Sequence, residues 1–220
     1  WQIWSCSGNT IEVVIMAKGY KAKKRNSFKR KRKSIILVAT EGNNKTEKQY
    51  LQGFRNLDKR IVFAKGNYTD PENMMANLRS EYDKLELSQE DGDIGYCIVD
   101  MDVSEKQEKA IAKADKKADS QKLKVIVSNP NIEVWILCHF RYTSKQFASA
   151  ADVIKELKKD YPEYDKSSPD VFDKLKEKID VARENAILLE QNAVANGFKP
   201  HIKGFLPSTE LYKVVDTLLK

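Results

Sequence analysis

Cysteine and histidine are scarce in this chain of 220 residues, which has three of the first and two of the second. Cys6, Cys97 and Cys138 are odd in number and far apart, so they encode neither a zinc spacing nor a disulfide framework. Cys97 and Cys138 each lie inside an apolar run, which predicts core residues in a protein of the reducing cytoplasm. Nothing around His139 or His201 points to a Ser-His-Asp or Cys-His enzyme, and His139 and Trp135 are expected as helix or core residues. No apolar stretch reaches the roughly 18–20 residues of a membrane span, so no membrane partner is expected. A Gly-x-x-x-x-Gly-Lys-Ser/Thr loop is missing, which excludes a P-loop NTPase. No zinc-finger or RRM signature is present either.

What the chain does have is charge, unevenly placed. The net charge is +7, yet ten basic residues and no acid lie between Lys18 and Lys33. Residues 34–220 carry 29 basic and 31 acidic residues, a balance near −2. The basicity is therefore a tail. Lys23, Lys24, Arg25, Lys29, Arg30, Lys31, Arg32 and Lys33 are candidates for phosphate contacts, against the plainer reading of a solubilising arm. Residues 1–15 lack the basic region and long apolar core of a secretory signal, and Met16-Ala-Lys-Gly reads as an ordinary start. The expectation is a leader over 1–33 that is non-native or disordered before the basic run.

Strand-like and helix-like segments then alternate. Strands are predicted at Ile35–Thr40, Ile61–Ala64, Ile94–Val99 and Leu123–Val127. Helices are predicted at about Thr46–Asn56, from Asp70-Pro71, from Ser104 with Gln107 as a capping box, and from Asn129-Pro130. Such alternation predicts an α/β fold with a four-stranded, mostly parallel sheet, in an order such as 2-1-3-4. The rest reads as helical: about Ala148–Lys159, a long helix from Ser168-Pro169 to Asn196-Gly197, and a last helix from near Ser208. The implied organisation is a catalytic core over 34–145 and a helical extension over 146–220 packed on it.

Two of the strands end in acids: Ser34-Ile-Ile-Leu-Val-Ala-Thr-Glu41-Gly42 and Ile94-Gly-Tyr-Cys-Ile-Val-Asp100-Met-Asp102. Open α/β sheets bind ligands just beyond the carboxyl ends of their strands. Three carboxylates gathered there repel one another unless a cation sits among them, and hard oxygen ligands suit Mg2+ or Mn2+. Asp100 and Asp102 at i and i+2 would project to one side of a continuing strand. Gly42 would allow a sharp turn and close approach of a phosphate. Glu133 reads either as a carboxylate favoured by a helix dipole or as a further metal ligand. Lys45 reads as a phosphate contact or a solvated lysine. Ser208 and Thr209 read as helix caps or phosphate contacts.

Glu41-Gly42 after one strand and Asp100-x-Asp102 after a later one resemble the Toprim domain of topoisomerases, bacterial primases and several nucleases. Thr40-Glu41-Gly42-Asn-Asn-Lys45-Thr46-Glu47, Ser128-Asn129-Pro130-Asn-Ile-Glu133-Val-Trp135 and Pro207-Ser208-Thr209…Leu211-Tyr212 are similar to the RloB-like family. This resemblance spans about residues 17–220. The family spelling has an acid after Glu-Gly, where this chain has Asn43. The resemblance implies a Toprim-type nuclease of prokaryotic phage defence, a toxic effector of the abortive-infection kind, often encoded beside an ABC-type ATPase. Asp100 and Asp102 would hold Mg2+, and Glu41 would act as a ligand or general base. The alternative is a non-cleaving Toprim module that binds nucleic acid or regulates a partner ATPase. The helical part after residue 147 is the expected docking surface for that ATPase.

Overall fold

A computed structural model describes residues 32–42, 45–54, 58–119, 121–166 and 168–220. Arg32–Lys220 forms one compact unit. Tail residues 23–31 lie outside the described residues.

The strands are β1 (Ile35–Thr40), β2 (Arg60–Phe63), β3 (Ile94–Asp100), β4 (Leu123–Asn129) and β5 (Ser208–Thr209). The helices are α1 (Lys45–Gln52), α2 (Pro71–Lys84), α3 (Glu105–Lys117), α4 (Glu133–Cys138), α5 (Ala150–Leu157), α6 (Val171–Leu175), α7 (Ile179–Ala195) and α8 (Leu211–Leu219). The sheet order is β2-β1-β3-β4-β5. The first four strands are parallel and β5 is antiparallel to β4. This is a mostly parallel α/β sheet consistent with a Rossmann-like fold, but with five strands rather than the four expected.

The central strands read as unbroken apolar runs because both of their faces are buried. Alternate residues point to opposite sides. Leu37, Cys97, Val99 and Val125 face a layer made by Met74, Met75 and Leu78 of α2 and Ile111 and Ala114 of α3. Ile36, Val38, Tyr96, Ile98 and Ile126 face a second layer, built by α1 and α4–α8. The segments after residue 146 join that second layer through Phe147, Val153, Leu157, Val171, Ala182 and Leu211.

Local signals set several boundaries as expected. Asp70 caps α2 by accepting from the Asn73 N–H at 3.0 Å, with Pro71 in the first turn. Ser104 accepts from the Gln107 N–H at 3.4 Å, but the Gln107 amide reaches the Asp100 carbonyl at 2.9 Å instead of returning to its cap. Helix α7 ends in a Schellman motif: Gly197 has φ +81, and the Phe198 N–H returns to the Ala193 carbonyl.

Other boundaries differ. Asn129 is the last residue of β4, paired with Ser208, so α4 starts only at Glu133. The long helix expected from Ser168-Pro169 is divided into α6, a 3-10 turn at Lys176–Lys178 and α7. The last helix starts at Leu211, because Ser208 and Thr209 form β5 at the edge of the sheet. Among the described residues no helix is long and apolar enough to cross a membrane.

Candidate active site

Glu41 follows β1 directly, in a turn where Gly42 has φ +49 and its N–H donates to the Tyr68 carbonyl at 2.8 Å. A Cβ at Gly42 would meet only ordinary contacts, at 3.5 and 3.7 Å. The positive φ, not lack of room, is what favours glycine there. The amide is engaged within the fold.

Asp100 ends β3, paired with Ser128 of β4. The strand then stops. Asp102 and Val103 have φ +50 and +51, the left-handed region, which is strained for a β-branched valine. Asp102 is therefore placed by a turn and not by the two-residue period of a continuing strand. Its N–H donates to the Pro130 carbonyl at 2.9 Å, which joins the loop after β3 to the loop that leads into α4.

The acids are layered by depth. Glu47, Asp100 and Glu133 form a buried floor, while Glu41 is half-buried and Asp102 is exposed. Neighbouring charges act on Glu41 and Asp100. Burial, then the charges of Asp102 and Glu47, push the Glu41 carboxyl up to about 7, against a hydrogen bond from the Asp100 backbone. Burial, then the charges of Glu47, Glu133, Asp102 and Glu41, hold Asp100 well above the usual carboxylate range. Desolvation also raises Asp102, with Lys166 pulling against it.

Lys166 and Tyr164 arrive on the segment between α5 and α6. The Lys166 ammonium lies 3.1 Å from Glu133 Oε1, and the Tyr164 hydroxyl donates to the same oxygen at 3.0 Å. The Thr46 hydroxyl, at the start of α1, donates to the Lys166 carbonyl at 2.9 Å. Several buried polar atoms around this point have no hydrogen-bond partner: Thr40 Oγ1, Asp100 Oδ1, both amide atoms of Asn131, and Glu133 Oε2. All belong to residues at or just beyond the carboxyl ends of β1, β3 and β4. Buried polar groups are normally satisfied, so unfilled ones concentrated at one place mark a position for water or an ion. Among the described residues no group of three or more His, Cys, Asp or Glu side chains is already arranged as a metal-ligand set.

The expected residues thus divide. Glu41, Asp100, Asp102 and Glu133 are brought to one end of the sheet. Lys45 opens α1, but its side chain lies outside the described residues. Ser208 and Thr209 are buried: Ser208 donates to the Phe205 carbonyl, and the Thr209 hydroxyl pairs with Ser128 at 2.9 Å. Thr209 Oγ1 also accepts a long bond, 3.4 Å, from the Leu211 N–H. Both hydroxyls therefore hold β5 and the start of α8 in place. Arg32 pairs with Asp93 and Asp91 at the amino ends of the strands, and Lys33 is exposed. Glu47, Asn131, Tyr164 and Lys166 complete the site without having been singled out as site residues from sequence. Glu47 was signalled by its place in the first turn after Glu41, and Asn131 by its place between Asn129-Pro130 and Glu133. Tyr164 and Lys166 lie in irregular chain with no periodic signal.

No curated protein and no solved structure matches the chain. A family model described as RloB-like protein matches residues 36–218, nearly all of the compact unit, and the chain belongs to the RloB-like family.

Proposed function

We propose that the chain is a Toprim-like, metal-dependent phosphodiesterase that cleaves nucleic acid. The observation that carries this reading is the gathering of Glu41, Asp100 and Asp102 at the carboxyl ends of the adjacent parallel strands β1 and β3. That is where open parallel sheets bind their ligands. The donor set fits Mg2+ or Mn2+: every candidate is a hard oxygen, and Asp100 Oδ1 and Glu133 Oε2 are buried without a partner. Asp100, Asp102 and Glu41 would hold the ion, with Glu133 as a further ligand. Bound there, the cation would neutralise charge developing on a phosphate. Glu41 either completes the ligand set or takes the proton from the attacking water or hydroxyl. Asp102, on the exposed rim, is the acid nearest to an incoming substrate, and Asp100 anchors the ion from below. The basic run before Arg32 would bring the polyanion to the domain through phosphate contacts.

The test is cleavage of labelled DNA and of total tRNA by the full chain in Mg2+ or Mn2+, beside an Asp102→Asn variant. Cleavage by the parent chain alone, abolished by a chelator, is the expected result. The defence role and the ABC-type ATPase partner rest on the family resemblance, so the assay is repeated after co-expression with the product of the neighbouring gene. Cleavage under neither condition sinks the reading.

A second reading is a non-cleaving Toprim module that binds nucleic acid or regulates the ATPase. It is favoured by the acids of the described residues not being drawn into a ready ligand set. Its signature is nucleic-acid binding without cleavage, indifferent to Asp102→Asn.

A further inference from the structure

Glu133 is fully buried, and a carboxylate there needs a counter-charge. Among the described residues it has the ammonium of Lys166, at 3.1 Å, on a side chain that is itself 53% exposed. The cation thus reaches a closed floor from an open edge. Its own segment is fastened on both sides of the site. Tyr164 donates to Glu133, at the start of α4, and Thr46 of α1 donates to the Lys166 carbonyl. One monovalent charge thus serves a single buried oxygen of the acid floor. It does not complete the floor: Glu133 Oε2, Asp100 Oδ1 and both amide atoms of Asn131 stay without partners. A point charge on one oxygen, with oxygens left unfilled around it, is a poor fit for a permanent structural ion pair. A divalent ion, which takes six or so oxygens, would fill more of them.

We propose that Lys166 is a tethered counter-cation that closes the acid site over Glu133 and must be displaced for a divalent cation to enter. The strap formed by Tyr164–Lys166 is the latch, and the released ammonium is left at the open edge from which it enters. The inference rests on the metal reading above, and the two fail differently.

The test compares Mn2+ binding to the full chain and to a Lys166→Met variant by electron paramagnetic resonance of free Mn2+. With the competing charge removed, Lys166→Met binds Mn2+ about fivefold more tightly, the ratio expected when a partly exposed ion pair no longer has to be broken. Lys166→Arg, which keeps the charge, binds Mn2+ as the parent does. Should Lys166→Met not fold, the parent chain still decides: Mn2+ is expected to raise acylation of Lys166 by an amine reagent several-fold, read by mass spectrometry. Equal or weaker Mn2+ binding by Lys166→Met, or a Lys166 reactivity that Mn2+ does not change, overturns the latch and leaves the metal site standing. No Mn2+ binding by any of the proteins overturns both.

Discussion

The Arg32 guanidinium grips the Asp93 carboxylate with two hydrogen bonds, at 3.2 and 2.5 Å, and so ties the end of the basic run to the start of β3. Asp93 also accepts from the backbone N–H of Ile35 and of Ser88, at 2.8 and 2.9 Å. One buried carboxylate thus joins the first residues of two neighbouring strands. Burial works against its charge, but these hydrogen bonds outweigh it and hold the carboxyl below its ordinary range. The pair sits at the amino ends of parallel strands, and Glu41 and Asp100 sit at the carboxyl ends. Arg32 therefore has a structural partner away from the acids.

Where the chain is cut should consequently matter. Removing residues 1–31 leaves Arg32 in place, and the shortened protein should melt close to the parent. Removing 1–33 strips Asp93 of its cation, and the shortened protein should melt below the parent without unfolding, since two backbone donors to Asp93 remain. Both shortened forms should bind nucleic acid with a flatter salt dependence than the full chain, because eight of the ten basic residues of the run are gone in the first and all ten in the second. Denaturant melts and binding titrations in rising salt check the two parts. An unchanged salt slope would mean that the run touches no phosphate.

His201 predicts a pH dependence. Its two ring nitrogens meet Asp115 at 2.8 Å and Glu210 at 2.7 Å, joining α3 to the chain just after β5. Burial opposes its charge, yet the two acids outweigh burial and raise it to about 9 from 6.5. A raised histidine stabilises the fold fully below its unfolded value and loses that contribution as pH rises through its folded value. Stability should therefore decline between about 6.5 and 9, by up to about 3 kcal/mol. His201→Gln should abolish most of this slope. On the acid side, burial raises Glu210, but His201 and Lys213 pull it down to about 2. Its contribution is present above about 4.5 and lost as pH falls through about 2. Urea melts from pH 5 to 10, spanning roughly the ordinary titration range of histidine and beyond, follow the first effect.

Gly53 is held by close packing. A Cβ there would overlap the Phe172 ring of α6, which also stacks edge-on against Phe54 at 4.8 Å between centroids. Gly53→Ala should cost about 1–3 kcal/mol, as overpacking does, or push α6 off α1. Because α6 follows the Tyr164–Lys166 strap, added proteolysis in that segment would accompany the loss. A variant as stable as the parent would show that Phe172 moves freely.

How much of this was legible in the sequence depended on burial. β1, β3 and β4 stood out because both faces are covered, and their order followed from alternation with helices. The acids at their ends were legible for the same reason, since an apolar run that stops at a carboxylate is a visible edge. β5 was not: it has two residues, both hydroxylic, and Ser-Thr before an apolar helix looks like a cap. Its ladder is extended by a side chain, the Glu210 carboxylate accepting from the Val127 N–H at 3.1 Å, which no pattern encodes. The left-handed turn at Asp102 and Val103 was hidden because neither residue is glycine. Tyr164 and Lys166 were hidden because tertiary contacts alone give an irregular segment its partners.

The turn at Asp102 decides how the acid site should be tested. Alanine at φ +50 adds roughly 1 kcal/mol of backbone strain, which would blur any relief of charge repulsion. Asparagine tolerates that conformation and keeps the shape of the side chain. Asp102→Asn removes one of the carboxylates that raise the proton affinity of Asp100 and Glu41. The metal-free variant should therefore melt at the same temperature as the parent or higher. Added Mg2+ should stabilise it less than the parent, because binding to the folded state alone is what lifts the midpoint. Cleavage of nucleic acid should drop by more than about 100-fold, since losing even an outer-shell partner of a metal costs 10–100-fold. Calorimetry with and without Mg2+ separates these effects. A variant that melts lower without metal, yet gains as much from Mg2+ as the parent, would place the cation away from Asp102.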